Sequence, residues 1–299
     1  MKKTFLFLSL LLLNYSFGQT EGFAPNTDNT QTYFRTFGNG SPILIINGGP
    51  GMNSNGFEAM TKVIGQKHTA IIYDQRGTGK STLKVLDAST VTMKHMVEDI
   101  ESLRKHLKIK KWSVLGQSFG GMLASYYATL HPEHIDKLIL SSSGGIDLTL
   151  LKGGSLIEAG LSKTEKDSLR YWNDKIEKGD TSHAARLGRG RAMAPAYVFN
   201  SKFIPIIAER LTQSNMIING LLWDDMQKMN FDCKNQLKSF TKPVLIIQGK
   251  QDIISNEIGE LASHIFPNSK FVLLENCKHY GWLDAETKYF GEIEDFLKS

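Results

Sequence analysis

The chain reads as an α/β fold, a mostly parallel sheet flanked by helices and interrupted by an inserted helical cap. Three observations predict this. Strand and helix patterns alternate over short connections, the signature of a sheet covered on both faces. The strand candidates are continuous apolar runs rather than alternating ones, as strands buried on both faces require. From about Gly144 to Leu237 the alternation stops and only helical patterns remain. The expected organisation is a core of residues 19–143 and 238–299 with a cap of residues 144–237.

Taken in order, Tyr33–Phe37 is expected as an antiparallel edge. The buried strands are expected at Ile43–Ile46, Ala70–Tyr73, Ser113–Leu115, Leu138–Leu140, Val244–Ile247 and Phe271–Leu274. Met93, Met96, Val97, Ile100, Leu103 and Leu107 recur at helical spacing behind a Thr92 cap, so this segment is an amphipathic helix whose methionines belong to the core. A second core helix is expected over Met122–His131. In the cap, helical patterns cover Leu156–Leu161, Glu165–Glu177, Thr181–Met193, Phe203–Gln213 and Met216–Met229. There is no internal repeat and no low-complexity tract.

A length of 299 residues, 41% hydrophobic and 22% charged, is enough for one large domain with an insertion. The first eighteen residues differ in character. Lys2 and Lys3 precede an apolar run from Phe5 to Leu13, and small residues follow before Gln19, which reads as a secretory signal peptide and implies an exported, periplasmic or secreted protein. The run is shorter than a membrane span and no cysteine follows to carry a lipid, so stable membrane association after cleavage is not expected. Removing this segment takes away two lysines and no acids, lowering the net charge from +5 to +3. Such a mild charge gives no case for nucleic acid binding. The basic run Lys105 to Lys111 falls where a helix ends, where cations complement the dipole on a solvated face. Cys233 and Cys277 are the only cysteines, so no disulfide framework holds the fold together; an oxidising compartment would permit one bridge between them, and two unpaired buried thiols are the default reading. No metal-ligand spacing appears, and no cofactor is expected.

The chemistry is concentrated in Gly116-Gln117-Ser118-Phe119-Gly120-Gly121. This G-x-S-x-G lies between an apolar strand, Trp112-Ser113-Val114-Leu115, and a helix, the setting of a nucleophile elbow. Flanking glycines permit a turn too sharp for side chains, which holds the Ser118 hydroxyl clear of the sheet. A serine hydroxyl needs a base held in the right tautomer by an acid. His279, in the loop after the last apolar run, and Asp252, just past the Val244–Ile247 strand, supply these roles in the order Ser, Asp, His. Carboxyl ends of parallel strands are where such sites form. Asn47-Gly48-Gly49-Pro50-Gly51 follows the Ile43–Ile46 strand and offers an oxyanion donor, for which the Gly49 amide is our choice; the Phe119 amide is the second. Asp74-Gln75-Arg76-Gly77-Thr78-Gly79-Lys80-Ser81 ends like a phosphate loop but has Asp74 where the first glycine is required. We expect instead that Asp74 and Arg76 pair and pin the loop.

Gly48-Gly49-Pro50-Gly51, Asp74 to Ser81 and the Gly116 to Gly121 elbow together resemble the proline iminopeptidase branch of the α/β-hydrolase family, over nearly the whole mature chain. The elbow and triad order belong to the whole family; the other two motifs are more specific to this branch. The resemblance implies an α/β-hydrolase fold and a peptidase releasing an N-terminal residue, often proline, from a small peptide or amino-acyl amide, through Ser118, Asp252 and His279. Family members bind the free amine with acidic cap residues. This sequence departs twice: Asn47 stands where histidine is frequent, and the amine-binding glutamates have no clean counterpart. The nearest candidates are Asp224 and Asp225 after Trp223, with Glu209 further away. Trp223, Met226 and Phe231 are either pocket or core. A carboxylesterase or lactonase with the same triad, and a non-catalytic ligand-binding homologue, remain as alternatives; Ser118 at the elbow disfavours dehalogenase and epoxide-hydrolase chemistry.

Overall fold

The computed structural model describes residues 19–149 and 156–298. The segment read as a signal peptide lies outside them. The strands are β1 (Thr20–Pro25), β2 (Gln31–Phe37), β3 (Pro42–Ile46), β4 (Thr69–Tyr73), β5 (Trp112–Gln117), β6 (Ile135–Ser141), β7 (Val244–Gly249) and β8 (Ser269–Leu274). They form one sheet in the order β1-β2-β4-β3-β5-β6-β7-β8. β1 pairs with β2 and β2 with β4 antiparallel; the remaining ladders are parallel. The expected strands are all present. β2 is antiparallel but is not the edge, because β1 covers it. Only Ala24 of β1 is buried, so this strand has no apolar run by which it could be read.

Burial on both faces follows from the apolar runs. Leu44, Ile46, Val114, Leu138, Leu140, Val244 and Ile246 join one hydrophobic cluster. Their neighbours Ile43, Ile45, Leu115, Ile139, Leu245 and Ile247 join another across the sheet. Among the core helices, α1 (Glu58–Ile64) packs on the second face, while α2 (Met93–His106) and α3 (Phe119–Leu130) pack on the first. α2 begins at Thr92, whose hydroxyl accepts from the His95 amide, and places Arg104, Lys105 and His106 in its last turn. Among the described residues, the α-helices between β6 and β7 include α4 (Leu156–Ala159), α5 (Lys163–Glu177), α6 (His183–Tyr197), α7 (Ile204–Leu211), α8 (Met216–Lys228) and α9 (Lys234–Leu237). α5 opens on a Ser162/Glu165 capping box, which satisfies two otherwise orphaned backbone amides. α10 (Asn256–Ile265), α11 (Gly281–Asp284) and α12 (Glu286–Lys298) complete the chain. Among the described residues no helix is long and apolar enough to cross a membrane.

Asp74 and Arg76 do not pair. Asp74 accepts from the Ser54 amide and hydroxyl on one oxygen and from the Lys80 amide on the other. Arg76 turns away to a fork with buried Asp99 on α2 and to Asp28. Two separate anchors thus fix the loop after β4. Both cysteines are free and buried, and burial pushes the Cys233 thiol up to about 12.

A further tie joins α2 to α3. Glu101 accepts from both ends of the Arg104 guanidinium and from Tyr127 Oη at 2.6 Å. Burial opposes its ionisation, but the bonds from Arg104 and Tyr127 outweigh it and hold the carboxyl at about 2. A carboxyl lowered on folding stabilises above its unfolded value, and that contribution is lost as the pH falls from about 4.5 through about 2. We predict that Glu101→Gln lowers the unfolding free energy at neutral pH by about 1–2 kcal/mol and shrinks the acid loss, as measured by denaturant titration across this range.

Candidate active site

β5 ends in the turn that the flanking glycines allow. Ser118 sits there at φ 55°, ψ −123°, outside the regions open to most side chains, as the residue preceding α3. A β-carbon on Gly120 would collide with the Ile46 carbonyl, and one on Gly116 with the Gly120 backbone, so no other residue fits at either position. The Ser118 amide donates to Ser141 O, and its carbonyl accepts from the Gly121, Met122 and Gly144 amides. Its side chain caps nothing, which leaves the hydroxyl uncommitted to the backbone.

Asp252 follows β7 and His279 follows β8. His279 Nδ1 lies 2.7 Å from Asp252 Oδ1, with the histidine side chain 3% and the aspartate 0% exposed. A carboxylate only accepts, so Nδ1 carries the proton and the ring's lone pair is at Nε2. Asp252 Oδ1 also accepts from the Ile254 amide at 3.1 Å, while Oδ2 is buried without a partner. The two loops are stitched together by Gln251 N to Cys277 O and by Cys277 N to Gln251 Oε1. His279 is held from two more sides: its amide donates to Tyr197 O on α6, and its carbonyl accepts from Gln117 Nε2 at 3.3 Å. The Tyr197 ring stands edge-on to the imidazole at 5.6 Å. Asp284 links the same loop to the cap, accepting from the Lys278, Phe199 and Asn200 amides.

Ser118 and His279 share the wall of a cavity of about 590 Å³, with Gly49, Phe119 and Trp223 also on its surface. A larger cleft of about 760 Å³ lies by Phe23, Arg76 and Lys80 and contains none of the candidate residues. The Gly48–Gly49 peptide is fixed from outside the cavity. Gly48 O accepts from Asn47 Nδ2 and from Nη2 of Arg210, each at 3.0 Å. Arg210 reaches there from α7, is 4% exposed, and stacks on Phe57 at 4.7 Å. In a trans peptide the N–H points opposite to the carbonyl, so the Gly49 amide faces away from Arg210.

The acidic candidates lie elsewhere. Asp225 Oδ2 accepts from the Met93 amide at 2.8 Å and so caps α2. Asp224 is exposed, and Glu209 is exposed and bonded to His183. None of the three lines the cavity. For Asp225 the reason is helical geometry: Met216, Asn219 and Trp223 make the cavity stripe of α8, and a residue two positions beyond Trp223 points to the opposite side. Met226 and Phe231 are core. Sequence reasoning missed Tyr197, Arg189, Arg210 and Asp284, none of which lies in a local motif, and the part played by Gln117, which sits inside the elbow motif but bonds to the distant His279 carbonyl. It also missed that Glu101, His131 and His134 converge to within 4.8 Å, though Arg104 and Tyr127 already occupy the Glu101 oxygens.

Residues 41–286 match the model of the alpha/beta hydrolase fold family, and the chain belongs to that family. Within it, the chain is similar to the proline iminopeptidase of Lactobacillus helveticus, 28% identical over 290 residues covering 89% of this chain and 94% of the relative. Among solved structures it resembles the proline iminopeptidase of Mycobacterium smegmatis, with a TM-score of 0.71, 20% identity and coverage of 93% and 98%. An esterase from Exiguobacterium antarcticum superposes equally well, with a TM-score of 0.71, 20% identity and coverage of 94% and 100%.

The reassigned acids give a direct check. Asp225→Ala should cost about 1 kcal/mol of stability through the lost α2 cap. Asp224→Ala should stay within about 0.5 kcal/mol of wild type, both read by denaturant unfolding.

Proposed function

We propose that the protein is a serine hydrolase working by acyl transfer. The observation that carries this reading is an elbow serine and a buried Asp–His pair opening on one cavity. His279 Nε2 takes the Ser118 proton as Oγ attacks the substrate carbonyl, and Asp252 stabilises the resulting imidazolium. The Gly49 and Phe119 amides receive the oxyanion. Arg210 and Asn47 support this role for Gly49, because they bind the Gly48 carbonyl and so turn the next amide the other way. His279 then protonates the leaving group, and water repeats the sequence on the acyl-enzyme.

For the substrate, the cavity favours an ester or amide that presents no free amine. A carboxylate is the usual receptor for a buried ammonium, and no aspartate or glutamate lines this cavity among the described residues. The segment outside them, Leu150 to Ser155, contains no acid in its sequence. Release of an N-terminal residue is the second reading, favoured by the similarity to proline iminopeptidases. A panel of amino-acyl arylamides, their N-acetylated forms and simple aryl esters separates the two. Ester turnover with no requirement for a free amine is expected; turnover confined to arylamides with a free amine would reverse the order.

Ser118→Ala should abolish turnover while leaving the melting temperature near wild type, and retained activity would sink the mechanism. Asp252→Asn should lower kcat on the order of 10⁴-fold by holding His279 in the wrong tautomer. Arg210→Met should lower kcat on the order of tenfold to a hundredfold with a smaller change in KM, since the oxyanion donor is misaimed in the transition state. Partial recovery by Arg210→Lys would separate this effect from loss of folding.

A further inference from the structure

α6 presents one stripe to the cavity. Arg189, Met193 and Tyr197 follow at steps of four residues, and all three line it. At one end of the stripe Tyr197 packs on His279. At the other, about 12 Å along the helix axis, is Arg189. The rest of the wall is mostly apolar, with Met193, Leu211, Met216 and Trp223, and includes the neutral polar side chains of Ser214 and Asn219. Among the described residues Arg189 is the only Asp, Glu, Lys or Arg side chain on the cavity wall.

Its partners do not use up its charge. Nε donates to the neutral Asn173 Oδ1 at 2.8 Å, which fixes the guanidinium from α5. No carboxylate lies within ion-pair distance of Arg189 among the described residues, whereas Arg35, Arg104 and Arg170 each have one and Arg76 has two. A side pocket of about 210 Å³ shares Arg189, Leu211, Ser214 and Met216 with the main cavity. It is also lined by exposed Glu177 and Arg186, so with Arg189 its walls carry two cations against one anion and a net positive charge remains. A guanidinium offers donors in a fixed fork that matches a carboxylate, and in a cavity with apolar walls such a pairing is little screened.

We propose that Arg189 is an anion subsite, and that the preferred substrates are esters or amides bearing a carboxylate at the end of a medium-length apolar chain. The proposal rests on the acyl-transfer reading of the same cavity. The apolar chain lies along Met193 toward the Ser118 and His279 end, and the carboxylate meets the Arg189 guanidinium.

Two matched pairs of substrates test it, and they cover both sides of the scissile bond. Mono-4-nitrophenyl suberate against 4-nitrophenyl octanoate puts the charge on the acyl side. 6-Acetoxyhexanoate against hexyl acetate puts it on the alcohol side. In at least one pair the charged member should have the higher kcat/KM, and the ratio of charged to neutral should fall about tenfold or more in Arg189→Met. Arg189→Glu should bring the ratio lower still, and Arg189→Lys should keep part of the preference. Equal treatment of both members of both pairs by wild type, or a ratio unmoved by Arg189→Met, overturns the proposal. Binding is read separately from chemistry by titrating monomethyl suberate and methyl octanoate into Ser118→Ala in a calorimeter. Preferential binding of the charged ligand, lost in the Ser118→Ala, Arg189→Met double variant, supports the subsite even where turnover fails and only the mechanism is refuted. No preference in that titration refutes the subsite itself.

Discussion

The backbone of Ser118 is the constraint on which the site depends. A serine at φ 55°, ψ −123° stores on the order of 1–3 kcal/mol of strain, and the fold must hold it there. The restraint comes from three directions. β6 accepts the Ser118 amide, α3 and Gly144 bind its carbonyl, and the chain crosses itself so closely at Gly120 that only hydrogen fits beneath Ile46 O. The same geometry frees the hydroxyl, since a relaxed serine in this position would spend its oxygen on the first amides of the helix. Strain here therefore converts a capping residue into an exposed oxygen facing the cavity.

Around that fixed point, the remaining groups are tied to one another rather than merely placed near. Gln117 donates to the His279 carbonyl, α6 accepts the His279 amide through Tyr197, and Asp284 clamps the preceding loop to the cap. The cap helix α7 sends buried Arg210 to the Gly48 carbonyl. That arginine has no carboxylate partner within ion-pair distance among the described residues, so its charge is balanced by carbonyl dipoles and the Phe57 ring alone. A buried cation left in this state is costly, and in the mechanism proposed above its position behind the Gly48–Gly49 loop would let that charge act where negative charge develops.

How much was legible follows from what kind of signal each residue leaves. The parallel strands were readable because burial on both faces forces an uninterrupted apolar run, and the strand-end positions of Ser118, Asp252 and His279 because each follows such a run. β1 was not, since a solvated edge leaves no apolar run. Arg76 was assigned to Asp74 by proximity in sequence, but Asp99 on α2 offered a buried carboxylate shaped for its fork. Asp225 was drawn toward the pocket by its neighbour Trp223, although two steps along a helix reverse direction. Gln117, Arg210 and Asp284 act on partners 80 or more residues away, and no local pattern encodes such contacts.

The division of labour between core and cap follows from the charges. In the acyl transfer proposed above, Ser118, His279 and two backbone amides would act on a carbonyl carbon, and none of them distinguishes an acid, an amine or a hydrocarbon several bonds away. Selection among substrates has to come from the walls, most of which are apolar and reward any chain of suitable length alike. A charge on such a wall discriminates strongly, because an unmatched ion inside an apolar cavity loses its water without recompense. Arg189 is the one such charge among the described residues, and its sign is opposite to that of an amine receptor. Two chains can therefore share the elbow, the loops and most of their length while differing in substrate through a single helical stripe.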